Sequence, residues 1–187
     1  MTDTGIEAKG PRWRPGDERP DIASMVRVDQ AGEYGATRIY CGQLAVLGSN
    51  QKAAGIIARM QSQEERHLRT FDEMMVERGV RPTLLQPFWH AAGYALGAAT
   101  ALMSPGAAMA CTAAVETEID RHYGAQVTGL GADEPDLSAT ITRFQSEELE
   151  HRDTAIASGA EETFGYPLLS GAIRAGCRLA IALSKRI

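Results

Sequence analysis

A chain of 187 residues, 44% of them apolar, is long enough for one domain with a substantial core. A net charge of −5 excludes a strongly basic nucleic-acid binder, and an aromatic content of 6% leaves few surfaces on which bases could stack. Cys41, Cys111 and Cys177 are odd in number, far apart and without a Cys-x-x-Cys, so they read as reduced thiols rather than a disulfide frame or zinc site.

Residues 1–20 contain Gly5, Gly10, Pro11, Pro15, Gly16 and Pro20 among mixed charges, a composition that predicts a flexible tail ahead of a helical domain over 21–187. The tail has neither the apolar run of a signal peptide nor the Arg-rich, acid-poor pattern of a transit peptide, which points to the cytoplasmic side of a bacterial cell. A first helix is predicted over 21–47, ended by Gly48-Ser49-Asn50, and a second over 50–78, stopped by Gly79 and Pro82. After an apolar stretch come helices over 105–130 and 135–158, stopped by Gly131 and Gly159, and a last one from Pro167 almost to the C-terminus. No segment alternates like a strand, so the expected fold is all-α.

The helices carry polar residues where a core stripe should be apolar. The second reads Ile57, Met60, Glu64, His67, Phe71, Met74, and the fourth reads Leu137, Ile141, Phe144, Glu148, His151, Ala155. Residues three apart on a helix share a face, so each Glu-x-x-His points both groups inward together. The first stripe is Val26, Gln30, Glu33, Thr37, Tyr40, Leu44, Leu47, and the third is Met109, Ala113, Glu116, Asp120, Tyr123, Val127, Leu130. An offset of 83 aligns Glu33 with Glu116 and Tyr40 with Tyr123, and one of 84 aligns the two Glu-x-x-His pairs. The chain is an internal duplication. One Glu from each of two helices plus Glu-x-x-His from each of two more is the ligand set of di-iron carboxylate four-helix bundles.

Buried ion pairs could account for any one of these residues. They do not account for four core carboxylates on stripes that hold no Lys or Arg. Two divalent irons would cancel four carboxylate charges, and oxygen-rich ligation with two imidazoles suits iron or manganese better than zinc. Glu65, Glu118 and Glu150 lie off the stripes and are expected in solvent. Glu147, four residues before His151, could share its face, but Gln63 stands at the equivalent place in the first copy, which favours Glu148.

Residues 82–115 contain no Asp, Glu, Lys or Arg. Within them, 88–104 would make about 25 Å of helix, short of a bilayer core, with a Gly93-x-x-x-Gly97 step that permits close helix contact. The last helix adds Leu168, Leu169, Ile173, Leu179, Ile181 and Leu183, with Arg174, Arg178, Lys185 and Arg186 and no acid after Glu162. This pattern predicts a peripheral protein on an anionic membrane surface, the alternative being packing within the bundle or an oligomer interface.

The runs Arg27-Val28-Asp29-Gln30-Ala31-Gly32-Glu33-Tyr34-Gly35-Ala36, Arg81-Pro82-Thr83, Ala110-Cys111-Thr112 with Ala114-Val115-Glu116, and Glu147-Glu148-Leu149-Glu150-His151 resemble the demethoxyubiquinone hydroxylase family from about residue 21 to the C-terminus. The resemblance implies a ferritin-like di-iron monooxygenase of ubiquinone biosynthesis at the inner face of the bacterial membrane. It would hydroxylate a polyprenyl methoxy-methyl-benzoquinol with O2, alone, as a homo-oligomer or in a biosynthetic complex. Glu33, Glu64, His67, Glu116, Glu148 and His151 fill the family's ligand positions, and His122 and Tyr123 match a His-Tyr pair near its irons. No Gly-x-Gly-x-x-Gly lies between a strand and a helix, so electrons are expected from a partner reductase, from NADH bound in another way, or from the quinol. A ferritin-type iron-storage protein would share the ligands, but it gives no reason for the uncharged segment or the basic last helix.

Overall fold

Asp21 accepts the Ser24 N–H at 3.0 Å, satisfying one of the free amides at the start of a helix that runs Ile22–Leu47 (α1). It ends at Gly48, whose φ of 67° suits a residue without a Cβ. The computed structural model describes residues 20–48, 52–130 and 134–187, so residues 1–19 of the predicted tail over 1–20, Ser49 and Asn50 of the first predicted helix stop, and the predicted stop at Gly131 lie outside it. Five more helices follow: α2 (Lys52–Arg78), α3 (Gln86–Met103), α4 (Pro105–Leu130), α5 (Pro135–Ala157) and α6 (Tyr166–Ser184). A proline in the first turn marks the starts of α3, α5 and α6. Among the described residues there is no strand.

Helices α1, α2, α4 and α5 form a ferritin-like bundle, with α3 laid along α1 and α6 along α4. The duplication thus extends to the outer helices, each half being a pair plus a flanking helix. The expected close contact at the Gly-x-x-x-Gly step is present: a Cβ on Gly97 would collide with the Ile39 carbonyl, and one on Gly42 with the Tyr94 carbonyl.

The bundle core has two apolar layers with a polar waist between them, and a third cluster of Ile39, Cys111, Ala114, Val115 and Ile173 joins α6 to α1 and α4. One layer is built around Tyr40, Leu47, Ile57, Met60 and Met109. The other holds Val26, Phe71, Tyr123, Leu130, Leu137, Ile141 and Phe144. Burying each large side chain stabilises the fold by roughly 1.5–3 kcal/mol, and this offsets the placement of carboxylates between the layers.

Candidate metal centre

The six residues singled out on the core stripes all meet in the waist, and none is more than 3% exposed. They fall into two groups, Glu33–Glu64–His67–Glu148 and Glu64–Glu116–Glu148–His151, each with potential ligand atoms within 4.8 Å of one another. Glu64 and Glu148, one from each half, belong to both groups. Glu33 with His67 then closes one end, and Glu116 with His151 the other.

Both imidazoles turn Nδ1 inward. His67 Nδ1 lies 3.0 Å from Glu148 Oε1 and 3.5 Å from Glu33 Oε2, while His151 Nδ1 lies 2.9 Å from Glu64 Oε1 and 3.1 Å from Glu148 Oε2. Their outer nitrogens meet the opposite half of the duplication: His67 Nε2 faces Glu147 Oε2 at 2.9 Å, and His151 Nε2 faces Gln63 Oε1 at 3.0 Å. Such outer partners fix the tautomer of a ligating histidine and its ring orientation. Phe144 stacks on His67 at 3.9 Å between ring centres and keeps water from that side.

The lone carboxylates are held across the bundle. Tyr40 donates to Glu116 Oε1 at 2.7 Å, and Tyr123 donates to Glu33 Oε1. Burial, reinforced by the neighbouring carboxylate, keeps each phenol protonated well above the usual range. Burial first, then the Glu64 charge, pushes Glu33 up to about 8, and burial with the Glu148 and Glu64 charges pushes Glu116 well up. Burial alone would favour neutral imidazoles. The Glu148, Glu33 and Glu64 contacts outweigh it and raise His67, and Glu148 and Glu64 raise His151 to about 10. So much negative charge in one dry place calls for cations, whether protons or metal.

Metal is the better fit. Glu33 Oε2, Glu116 Oε2 and both oxygens of Glu64 are buried without a hydrogen-bond partner, and the cationic side chains paired with Glu33, Glu64 and Glu148 are the two imidazoles. Carboxylate oxygens with two imidazole nitrogens suit iron or manganese.

Other expectations divide. Glu65 and Glu150 are exposed as foreseen. Glu118 is not: it is 1% exposed and accepts from Arg174 Nε at 2.7 Å and Arg178 Nη1 at 2.8 Å. Helix α4 has two buried faces, because α6 covers a second one, and Glu118 stands on that second face. His122 does not touch the cluster. Its Nε2 lies 3.2 Å from Oδ1 of Asp29, a buried carboxylate one turn before Glu33 that also accepts from Gln126. Tyr40 and Gln63 were not singled out, although the duplication pairs them with Tyr123 and Glu147. Burial pushes the Cys111 thiol up to about 12 and Cys177 up to about 11, which favours the protonated thiol at both.

Fold and site together define a ferritin-like helical bundle with a buried carboxylate–histidine cluster able to hold metal. The sequence model described as "Ubiquinone biosynthesis protein COQ7" matches residues 20–184, and the chain belongs to that family. It is 55% identical over 175 residues to the 3-demethoxyubiquinol 3-hydroxylase of Rhodospirillum rubrum, covering 92% of this chain and 82% of the relative. The mitochondrial NADPH-dependent 3-demethoxyubiquinone 3-hydroxylase of Bos taurus is 47% identical, covering 90% of this chain and 79% of that protein. The mitochondrial 5-demethoxyubiquinone hydroxylase of Saccharomyces cerevisiae is 41% identical, covering 87% and 77%.

Proposed function

We propose that the chain is a 3-demethoxyubiquinol hydroxylase, a monooxygenase that adds a hydroxyl to the ring of a polyprenyl methoxy-methyl-benzoquinol. The relatives' names support the substrate class. The observation that carries the reading is an apolar cavity of about 480 Å³ between α1, α3, α4 and α6, lined among others by Gly32, Gly35, Ile39, Trp89, Leu96 and Ile173. Gly32 and Gly35 flank Glu33 with open space where side chains would stand, so bare backbone meets the cavity beside the cluster. Each CH₂ of an isoprenoid tail costs about 0.8 kcal/mol to expose to water, and this cavity spares that exposure.

Two irons held by Glu33, Glu64, His67, Glu116, Glu148 and His151 would supply the activation of dioxygen. The protein's own part is placement. Tyr40 and Tyr123 fix the lone carboxylates, Glu147 and Gln63 aim the imidazoles, and the apolar layers exclude water. One oxygen atom of O2 enters a ring C–H bond and the other leaves as water. Two electrons and two protons come from NADH, from a redox partner or from the quinol.

Among the described residues no helix is long and apolar enough to cross a membrane. Leu84, Phe88, Leu102, Met103, Phe164 and Leu168, on α3, α6 and their approaches, are each more than 60% exposed. Such a surface suits a protein lying on lipid, which we read as the cytoplasmic face of a bacterial inner membrane. The test is turnover of a short-tailed demethoxyquinol by iron-loaded protein with O2 and reductant, followed by mass spectrometry. Wild type should add one oxygen atom, and Glu116→Ala should lose metal and product together. Oxygen consumption without hydroxylated ring would overturn the reading.

A further inference from the structure

Six helical threonines, Thr37, Thr70, Thr100, Thr117, Thr128 and Thr142, donate back to a carbonyl three or four residues earlier. Thr112 does not. It is 1% exposed, its hydroxyl has no hydrogen-bond partner, and the Ala108 carbonyl it would otherwise reach accepts from Gln43 Nε2 at 3.0 Å. A buried hydroxyl left unsatisfied is destabilising, so a site that keeps one has a use for it.

Its position says what the use is. Thr112 lines a narrow seam with Ala36, Ile39, Tyr40, Val115 and Glu116, too tight to admit water. Ala36, Ile39 and Val115 also line the large apolar cavity, so the seam continues that cavity to Glu116. Within the seam the Tyr40 hydroxyl is already committed to Glu116. The unpartnered Glu116 Oε2 faces the metal centre, which leaves the Thr112 hydroxyl, one helical turn before it, as the hydroxyl free to meet an incoming polar atom.

We propose that Thr112 orients the substrate: the quinol ring parts Ile39 and Val115, enters the seam, and one of its ring oxygens hydrogen-bonds the Thr112 hydroxyl. This rests on the proposed quinol substrate. An apolar cavity alone could hold the tail in many rotations, whereas one hydrogen bond at its inner end selects which ring carbon faces the cluster.

The test is oxygen-free calorimetric titration of metal-loaded protein with a short-tailed demethoxyquinol, so that binding is read without turnover. Thr112→Val keeps the shape and removes the hydroxyl, and Thr112→Ser restores the hydroxyl. Thr112→Val should weaken binding about three- to tenfold, the range expected for one hydrogen bond, while Thr112→Ser stays close to wild type. The melting temperature of Thr112→Val should not fall, because the change removes an unmet polar group. Unchanged binding in Thr112→Val overturns the inference, as does equal weakening in both variants. Wild-type protein that binds no quinol would instead overturn the substrate reading, and this inference with it.

Discussion

Tyr40 on α1 donates its hydroxyl to Glu116 on α4 at 2.7 Å, and the second half of the chain returns the contact, Tyr123 on α4 donating to Glu33 on α1. Each half of the duplication therefore holds the other half's lone carboxylate. A buried carboxylate oxygen that loses its donor forfeits about 1–3 kcal/mol. Tyr40→Phe should thus lower metal affinity by roughly 10- to 100-fold, the range for losing a group that orients a ligand. Tyr123→Phe should do the same at the other end. Metal titration of the two variants checks this, and wild-type affinity in both would show that the phenols only pack.

Glu147 and Glu148 are adjacent but differently placed. Glu148 lies within 3.1 Å of both inward nitrogens, whereas Glu147 is half-buried outside them, facing the outer nitrogen of His67 at 2.9 Å and Arg66 Nη2 at 3.7 Å. Glu148→Gln should therefore lose metal and hydroxylation. Glu147→Gln should retain its metal, with affinity reduced by no more than about tenfold, because an amide oxygen can serve His67 as Gln63 serves His151. Iron per chain in the two variants is the measurement, and the reverse order would mean that the helix register is wrong by one residue.

Proton occupancy gives a third expectation. Glu33 rises from the ordinary 4.5 to about 8 in the folded chain, so folding favours its protonated form. That contribution is complete below about 4.5 and is lost as pH rises through about 8. His151, raised from 6.5 to about 10, acts in the same sense, its contribution being lost as pH rises through about 10. The melting temperature of metal-free protein should fall steadily from about pH 5 to pH 9. Metal loading should release protons and flatten the profile. A metal-free protein that grows more stable across that interval would contradict the assigned burial of charge.

The carboxylate–histidine cluster was legible in the sequence because each of its members breaks a row of apolar residues at helical spacing. Its supporting residues were harder to see. Tyr40 reads as ordinary core until the crossed contact with Glu116 is known, and Gln63 lies beside its stripe instead of on it. Glu118 was misplaced because periodicity within one helix does not reveal that a sixth helix covers a second face. The cavity is a property of packing, made where α3 and α6 meet α1 and α4.

The ion pairs of Glu118 also change what the basic residues of α6 should do. Arg174 and Arg178 are about two-fifths exposed and both converge on one buried carboxylate, so part of their charge is spent inside the protein. Lys185 and Arg186, at the end of α6, are exposed. Each basic residue near an anionic surface contributes about 1 kcal/mol, weakened by salt. Lys185→Gln with Arg186→Gln should therefore weaken binding to anionic liposomes by up to about 2 kcal/mol at low salt and leave the melting temperature alone. Arg174→Gln with Arg178→Gln should instead destabilise the fold, by at most about 3 kcal/mol given the exposure of the arginines, because Glu118 is left buried with a weakened partner set. Replacing Phe164 and Leu168 with Ser should weaken liposome binding at every salt concentration, since their contribution is apolar. Liposome binding with thermal melting on the three variants separates these outcomes. If the Arg174/Arg178 variant loses lipid binding at unchanged stability, the membrane, rather than Glu118, is what those arginines serve.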